Sequence, residues 1–268
     1  MAVWRPPCKI PNHRRPPASL RWIACLAAAA ATLQGGTLRY SFREYGPGQG
    51  LANVATSAIV QDTRHYIWVG TQSGLYRYDG TSFRQIGELG VLASLDIAAL
   101  AAGPNGEVWI GSSRSISIAR GEQIETIDVG QDFSITYNGS FSLDRQGRLY
   151  AASSVGLVRV DGSSPGHPSI QWISRAPSFG VHVDAAGIVW FGCATDLCRY
   201  DGRQVEQVGA SAGLPRDNWD SMISDLAGDL WVRSVRRLYV LRHGAGKAER
   251  QDQDLPFSTP TASTLGIL

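Results

Sequence analysis

Apolar and polar positions alternate in short bursts rather than at helical spacing. In residues 57–86 the bursts fall near 57–62, 66–71, 74–79 and 82–86, with Ser82-Phe83-Arg84-Gln85-Ile86 as the last. Gly, Asp and Asn separate them. Runs of about five residues, rich in aromatic and β-branched side chains and bounded by turn residues, predict strands.

The same pattern returns along the chain. Trp68-Val69-Gly70, Trp109-Ile110-Gly111, Tyr150-Ala151-Ala152, Trp190-Phe191-Gly192 and Trp231-Val232-Arg233 form one series, with aromatic positions 41, 41, 40 and 41 residues apart. A turn precedes each aromatic: Asp62-Thr63-Arg64-His65, Gly103-Pro104-Asn105-Gly106, Asp144-Arg145-Gln146-Gly147, Asp184-Ala185-Ala186-Gly187 and Asp225-Leu226-Ala227-Gly228. Asp at the first position accepts hydrogen bonds from the turn's own backbone, and Gly at the fourth takes positive φ. His65 stands where the others have Gly, so the first turn is expected to be the strained one. A second hairpin follows each aromatic, clearest in Gly74-Leu75-Tyr76-Arg77-Tyr78-Asp79-Gly80. Asp-Gly is a strong tight-turn dipeptide.

Four antiparallel strands per forty-odd residues, repeated, predict an all-β fold: a β-propeller of four-stranded antiparallel blades. A β-helix needs shorter repeats, and a sandwich does not repeat so evenly. About five blades are present plus part of a sixth, an incomplete ring expected to be a fragment of a seven-bladed propeller. Residues 39–45 resemble the outer strand of a blade and are expected to close the ring against the last one. Residues 255–268 read as the start of the sixth repeat.

Charge divides the chain. The first 34 residues carry Arg5, Lys9, Arg14, Arg15 and Arg21 and no acid; removing these five from 25 basic residues leaves 20 against 23 acids. With no basic patch left, nucleic acid is not an expected partner. Residues 1–34 read as an export signal: basic residues, then the apolar, Ala-rich run Trp22–Leu33, too short to span a bilayer. The alternative is a short uncleaved anchor. The expected domain is therefore the propeller over 35–268 in the periplasm, with membrane attachment only through a part beyond Leu268.

The runs Gly50-Leu51-Ala52-Asn53, Tyr66-Ile67-Trp68-Val69-Gly70-Thr71 and Gly74 through Gly80, echoed by Ile188-Val189-Trp190-Phe191-Gly192 and Arg199-Tyr200-Asp201-Gly202, resemble the two-component regulator propeller repeat. The match covers roughly 37–268 and is weakest in the second, third and fifth repeats. The resemblance implies the periplasmic sensor region of a larger receptor. Such receptors continue into a transmembrane helix and a histidine kinase or diguanylate cyclase. It implies ligand sensing, no catalysis in this chain, and an output module beyond Leu268.

Candidate chemistry is sparse. Cys193 and Cys198 fall on facing strands of one hairpin, where an oxidising compartment suits a disulfide worth about 2 kcal/mol. The alternative, a metal site, needs further ligands, and no His lies near in sequence. No hydrolase, zinc-protease or phosphate-loop motif occurs, so catalytic residues, metal and cofactor are each read as none. His182, on an inner strand, reads as a satisfied core histidine. The loops after the aromatic strands open to one face and hold Gln72, Arg114, Asp196, Arg233 and Arg236. Their arginines suit an anionic small molecule or an acidic saccharide, against the plainer reading of solvated surface charge. Trp219 is read equally as a sugar-stacking platform or as core. Two other functions remain open: a propeller lyase or hydrolase acting on polysaccharide, and a protein–protein scaffold.

Overall fold

A computed structural model describes residues 41–87, 91–130, 132–135 and 138–252. The chain divides into two compact units, Met1–Glu44 and Tyr45–Leu268. The expected leader and the start of a sixth repeat lie outside the described residues. Of the first unit only 41–44 are described, and they carry no regular secondary structure. The strand expected over 39–45 is not formed over 41–45; Tyr45 instead sets its ring edge-on against Tyr78 and Phe83.

The second unit is five four-stranded antiparallel sheets, each ordered as the chain runs. Blade I holds β1 (Thr56–Gln61), β2 (Ile67–Thr71), β3 (Gly74–Tyr78) and β4 (Phe83–Ile86), within a residue of the positions read from the alternation. Blade II holds β5 (Ile97–Ala102), β6 (Glu107–Ser112), β7 (Ile116–Arg120) and β8 (Gln123–Ile127). Blade III holds β9 (Phe141–Leu143), β10 (Leu149–Ser153), β11 (Gly156–Asp161) and β12 (Ser169–Ser174). Blade IV holds β13 (Val181–Val183), β14 (Val189–Cys193), β15 (Asp196–Tyr200) and β16 (Val205–Gln207). Blade V holds β17 (Ser221–Ser224), β18 (Leu230–Arg233), β19 (Leu238–Leu241) and β20 (Ala248–Arg250). The first strands pack in succession, β1 on β5, β5 on β9, β9 on β13 and β13 on β17. This is a β-propeller, and among the described residues no sheet closes into a ring.

The core lies between blades, as stacked repeats require. Trp68, Leu75 and Ile97 join blades I and II, while Trp109, Ile118, Leu149 and Val158 join II and III. The glycine of the Trp-x-Gly run has a packing role. A Cβ on Gly70 would meet Ile97 Cγ2 at 2.7 Å, and one on Gly111 would meet Phe141 Cζ at 2.7 Å. The glycine thus lets the next inner strand approach.

The turn aspartates do more than shape their turns. Asp62 Oδ1 accepts from the backbone of Arg64 (2.9 Å) and Tyr66 (3.0 Å), while Oδ2 accepts the Trp68 indole N–H at 2.9 Å. Asp184 repeats this with Trp190 at 2.8 Å, and Asp225 with Trp231 at 2.9 Å. The Trp231 indole, with the turn amides, holds the Asp225 carboxyl below 3.8. In blade III Tyr150 has no ring N–H, and Arg148 Nε takes the Asp144 oxygen at 2.7 Å. Blade II alone has Gly103 at this position, and the Trp109 N–H, buried, has no partner. Glu107, the first residue of β6, reaches back over that turn, and its Oε2 accepts from Asn105 N at 3.0 Å. It meets one turn amide where the aspartates meet two, and the indole bond is not replaced.

His65 sits at φ 66, in the left-handed region that Gly106, Gly147, Gly187 and Gly228 occupy in the other turns. A Cβ there is unfavourable, though His tolerates it better than most residues.

Two stability outcomes follow. Asp62→Ala strands the indole of fully buried Trp68 and two turn amides, and should lower the urea-unfolding free energy by about 3 kcal/mol. A loss below a few tenths would refute the clamp. His65→Gly should raise it by about 0.5–1 kcal/mol, the left-handed penalty outweighing glycine's entropy cost; a loss would show that the His65 side chain contributes.

Candidate functional site

The hairpins between the second and third strands lie on one loop face with the segments that lead into each inner strand. A hydroxyl three residues after the aromatic position organises most of them. Thr71 accepts from Ser73 N (3.1 Å), Ser112 from Arg114 N (3.4 Å), Ser153 from Val155 N (3.4 Å) and Ser234 from Arg236 N (3.2 Å). These are local side-chain-to-backbone turns. Blade IV has Cys193 at this position, and it is joined to Cys198, with 5.8 Å between their Cα atoms. A covalent link stands where its neighbours use a hydroxyl. Ala194, first residue of that two-residue loop, takes φ 53.

Backbone hydrogen bonds tie the hairpins to the incoming segments. Gln72 N donates to Ala55 O, Ser154 N to Ser134 O and Ala194 N to Pro177 O within blades. Ser178 N donates to Ser153 O and Asp217 N to Thr195 O between blades. The loop face is a hydrogen-bonded belt, and side chains on it are held by paired backbone.

The residues singled out from the sequence are distributed on this belt. Gln72 and Arg114 are exposed on blades I and II. Asp196 is half-buried on blade IV, where its Oδ1 accepts from Leu197 N at 2.8 Å, an occupation within its own turn. Arg233 and Arg236 share the blade V hairpin, and there the structure brings together a group that sequence reasoning missed. Arg237 pairs with Asp217, whose Oδ2 also accepts from Ser234 Oγ at 2.8 Å. Asp220 N donates to Arg233 O at 3.0 Å, while Asp220 Oδ1 is buried without a partner. Burial pushes the Asp220 carboxyl above 3.8; Arg233 opposes the rise and Asp217 adds to it. The Asp217-Asn218-Trp219-Asp220 cluster was visible in the sequence, but nothing there marked which acid would be desolvated. Trp219 is core, fully buried and edge-on to Tyr239 at 5.9 Å, so it offers no stacking face to a sugar.

Behind this face the inner strands are joined by short polar side chains. His182 Nε2 lies 2.9 Å from Ser224 Oγ between blades IV and V, and Ser142 Oγ accepts from Val183 N at 2.9 Å between III and IV. Burial pushes His182 below 6.5, with Asp184 opposing. It is a hydrogen-bonded inner-strand histidine whose charged form burial disfavours. The arrangement supplies hydrogen-bond donors, guanidinium groups and one desolvated carboxyl, which suits binding of a small polar molecule.

No family model and no curated protein matches the sequence. Among solved structures, the chain is similar to the extracellular domain of a putative hybrid two-component system from B. thetaiotaomicron. The TM-score is 0.61 at 19% identity, over 75% of this chain and 28% of that one. It is also similar to virginiamycin B lyase from Staphylococcus aureus, with TM-score 0.61 at 10% identity, over 75% of this chain and 71% of that one. PorZ, a surface component of the type-IX secretion system of Porphyromonas gingivalis, has TM-score 0.54 at 12% identity, over 73% and 33%. At these identities the likeness establishes the propeller fold. The chain spans little more than a quarter of the two-component protein it matches.

Two half-buried titratable groups, Asp220 and His182, set opposite pH trends. Asp220 has a raised folded pKa, so its contribution is fully present below 3.8 and is lost as pH rises through the raised value. His182 has a depressed one, so stability falls as pH drops below 6.5. Asp220→Asn should therefore raise the unfolding free energy at neutral pH and flatten its decline above pH 3.8. An unchanged pH profile would show the carboxyl to be solvated.

Proposed function

We propose that this propeller is the extracytoplasmic ligand-sensing part of a membrane signalling receptor of the two-component or diguanylate cyclase type, without catalysis of its own. The observation that carries the reading is a coincidence of two likenesses. The Trp-x-Gly and Tyr-x-Asp-Gly repeats resemble two-component regulator propellers, and the fold resembles the extracellular domain of a hybrid two-component system. The basic, then apolar leader supports export to the periplasm. In this reading an anchoring helix and an output module follow Leu268, and further blades complete the ring. The flank of blade I supports that completion, being open among the described residues: Ile59 there is 66% exposed beside Val54, over a cavity of about 440 Å³ lined by Leu51, Val69 and Phe83.

The ligand site of this reading is the loop face, with Arg233 and Arg236 meeting an anionic group and Gln72, Arg114 and Asp196 on neighbouring hairpins. The likeness to a lyase favours a second reading, a propeller lyase or hydrolase acting on polysaccharide, at a lower identity.

A thermal-shift screen of acidic saccharides and organic acids, followed by calorimetry, tests the two together. The sensor reading expects a ligand whose affinity falls about tenfold in Arg233→Ala, the loss of one charged hydrogen bond. Turnover of polysaccharide by the purified protein, abolished in His182→Ala, would overturn it in favour of the enzyme.

A further inference from the structure

Blade III departs from the repeat at two neighbouring positions, and each departure leaves a polar group without a partner. The first is the aromatic. Trp68 and Trp190 give their indole N–H to a turn aspartate. Tyr150 carries a hydroxyl instead, and Asp144 Oδ2 is taken by Arg148 Nε at 2.7 Å. The second is the arginine opposite the aromatic in the third strand: Arg77 faces Trp68, Arg159 faces Tyr150 and Arg199 faces Trp190. Arg77 pairs with Glu122 at 3.5 Å, and Arg199 Nε donates to Glu206 Oε2 at 2.9 Å. Glu206 sits opposite Arg199 in the outer strand, whereas the residue opposite Arg159 is the neutral Gln171. Among the described residues no acceptor bonds the Arg159 guanidinium or the Tyr150 hydroxyl.

Both groups line one cavity of about 660 Å³, bounded by turns of blades III and IV on the face opposite the loop face. Arg159 is half-buried. Tyr150 is 4% exposed, and its hydroxyl, unlike the Trp109 N–H, is not sealed off. The other charges of the walls are occupied. Asp144 serves Arg148 and its own turn, and Asp184 serves Trp190 and its own turn. Arg145 Nη2 donates to the Ala185 carbonyl at 2.5 Å, joining the two turns. Asp201 Oδ1 accepts from Arg203 N and Gln204 N, both at 2.8 Å, and these bonds hold its carboxyl below 3.8. Asp161, two residues beyond Arg159, is lowered first by hydrogen bonds from Ser163, and among the described residues it forms no ion pair with Arg159.

A free guanidinium beside a free hydroxyl matches one carboxylate. The guanidinium takes both oxygens side-on, and the hydroxyl donates to one of them. The three acids in the walls, Asp144, Asp184 and Asp201, oppose a second negative charge. Leu143 and Val183 also line the cavity, so the body of the acid meets carbon.

We propose that this cavity is a second binding site, for a small organic monocarboxylate held by Arg159 and the Tyr150 hydroxyl. The ligand supplies Arg159 with the acid that Glu206 supplies to Arg199. The site is separate from the loop face that carries the proposed sensing reading, and it stands or falls independently of it.

Calorimetry and thermal shift on the intact chain test the proposal, with acetate, lactate and glucuronate at millimolar concentration against succinate, sulfate and methylamine. Wild type should bind at least one of the three monocarboxylates, and the dianions and methylamine at least tenfold more weakly. Arg159→Gln, at a half-buried position, should weaken binding at least tenfold. Tyr150→Phe keeps the ring and should weaken it several-fold. Gln171→Glu gives Arg159 a carboxylate of its own; it should abolish binding and leave the ligand-free melting temperature unchanged or higher. Arg233→Ala on the loop face should leave this binding unchanged. Absence of binding by all three acids, equal binding of succinate or sulfate, loss of binding in Arg233→Ala, or indifference to both Arg159→Gln and Gln171→Glu would overturn the proposal.

Discussion

Each blade packs a large aromatic ring, buried in blades I to III and half-buried in IV and V, and three of the five pair both its indole N–H and the preceding turn. One aspartate meets both demands, with one oxygen for two turn amides and the other for the indole. Buried donors without acceptors are costly, so this bond fixes where the turn sits relative to the second strand. The ring then presents its apolar surface to the next blade, and the stack propagates. The variations follow the same physics. Arg148 serves where the ring is Tyr, while in blade II Glu107 meets one turn amide and the indole N–H stays unmet.

The opposite face answers a different demand. Its hairpins are closed by Thr71, Ser112, Ser153 and Ser234, with a disulfide in blade IV. The belt of backbone bonds holds these loops while their side chains remain exposed. A rigid scaffold with variable side chains at its loop ends suits recognition. It is also where the structure keeps its desolvated carboxyl, Asp220, near the blade V arginines.

Strand positions in the first repeat were legible to within a residue, because period-two patterning and Asp-Gly turns are local signals. The strained turn at His65 was legible too, since a single departure from Gly identifies it. The clamp was only half visible: the aspartates read as turn residues, but a spacing of six to the indole carries no local signal. Gly103 and the unmet Trp109 N–H were therefore invisible as a pair. The Asp217, Asp220, Arg233 and Arg237 group depends on two loops meeting, which single-chain periodicity does not encode. Over 41–45, the described part of the expected closing strand, the outcome is the reverse. A segment resembling the outer strand of a blade is expected there, yet Tyr45 packs on Tyr78 and Phe83 by ring contacts and 41–45 carry no regular secondary structure.

The most direct measurement is the indole N–H region of a ¹⁵N–¹H correlation spectrum, assigned by single Trp→Phe substitutions. The account predicts that Trp68, Trp190 and Trp231 give downfield signals with small temperature dependence, as carboxylate-bonded donors do. In the ligand-free protein, Trp109 should stand apart from that group. If the three clamped indoles lacked the hydrogen-bonded pattern, or if Trp109 shared it, the clamp would not be what organises these blades.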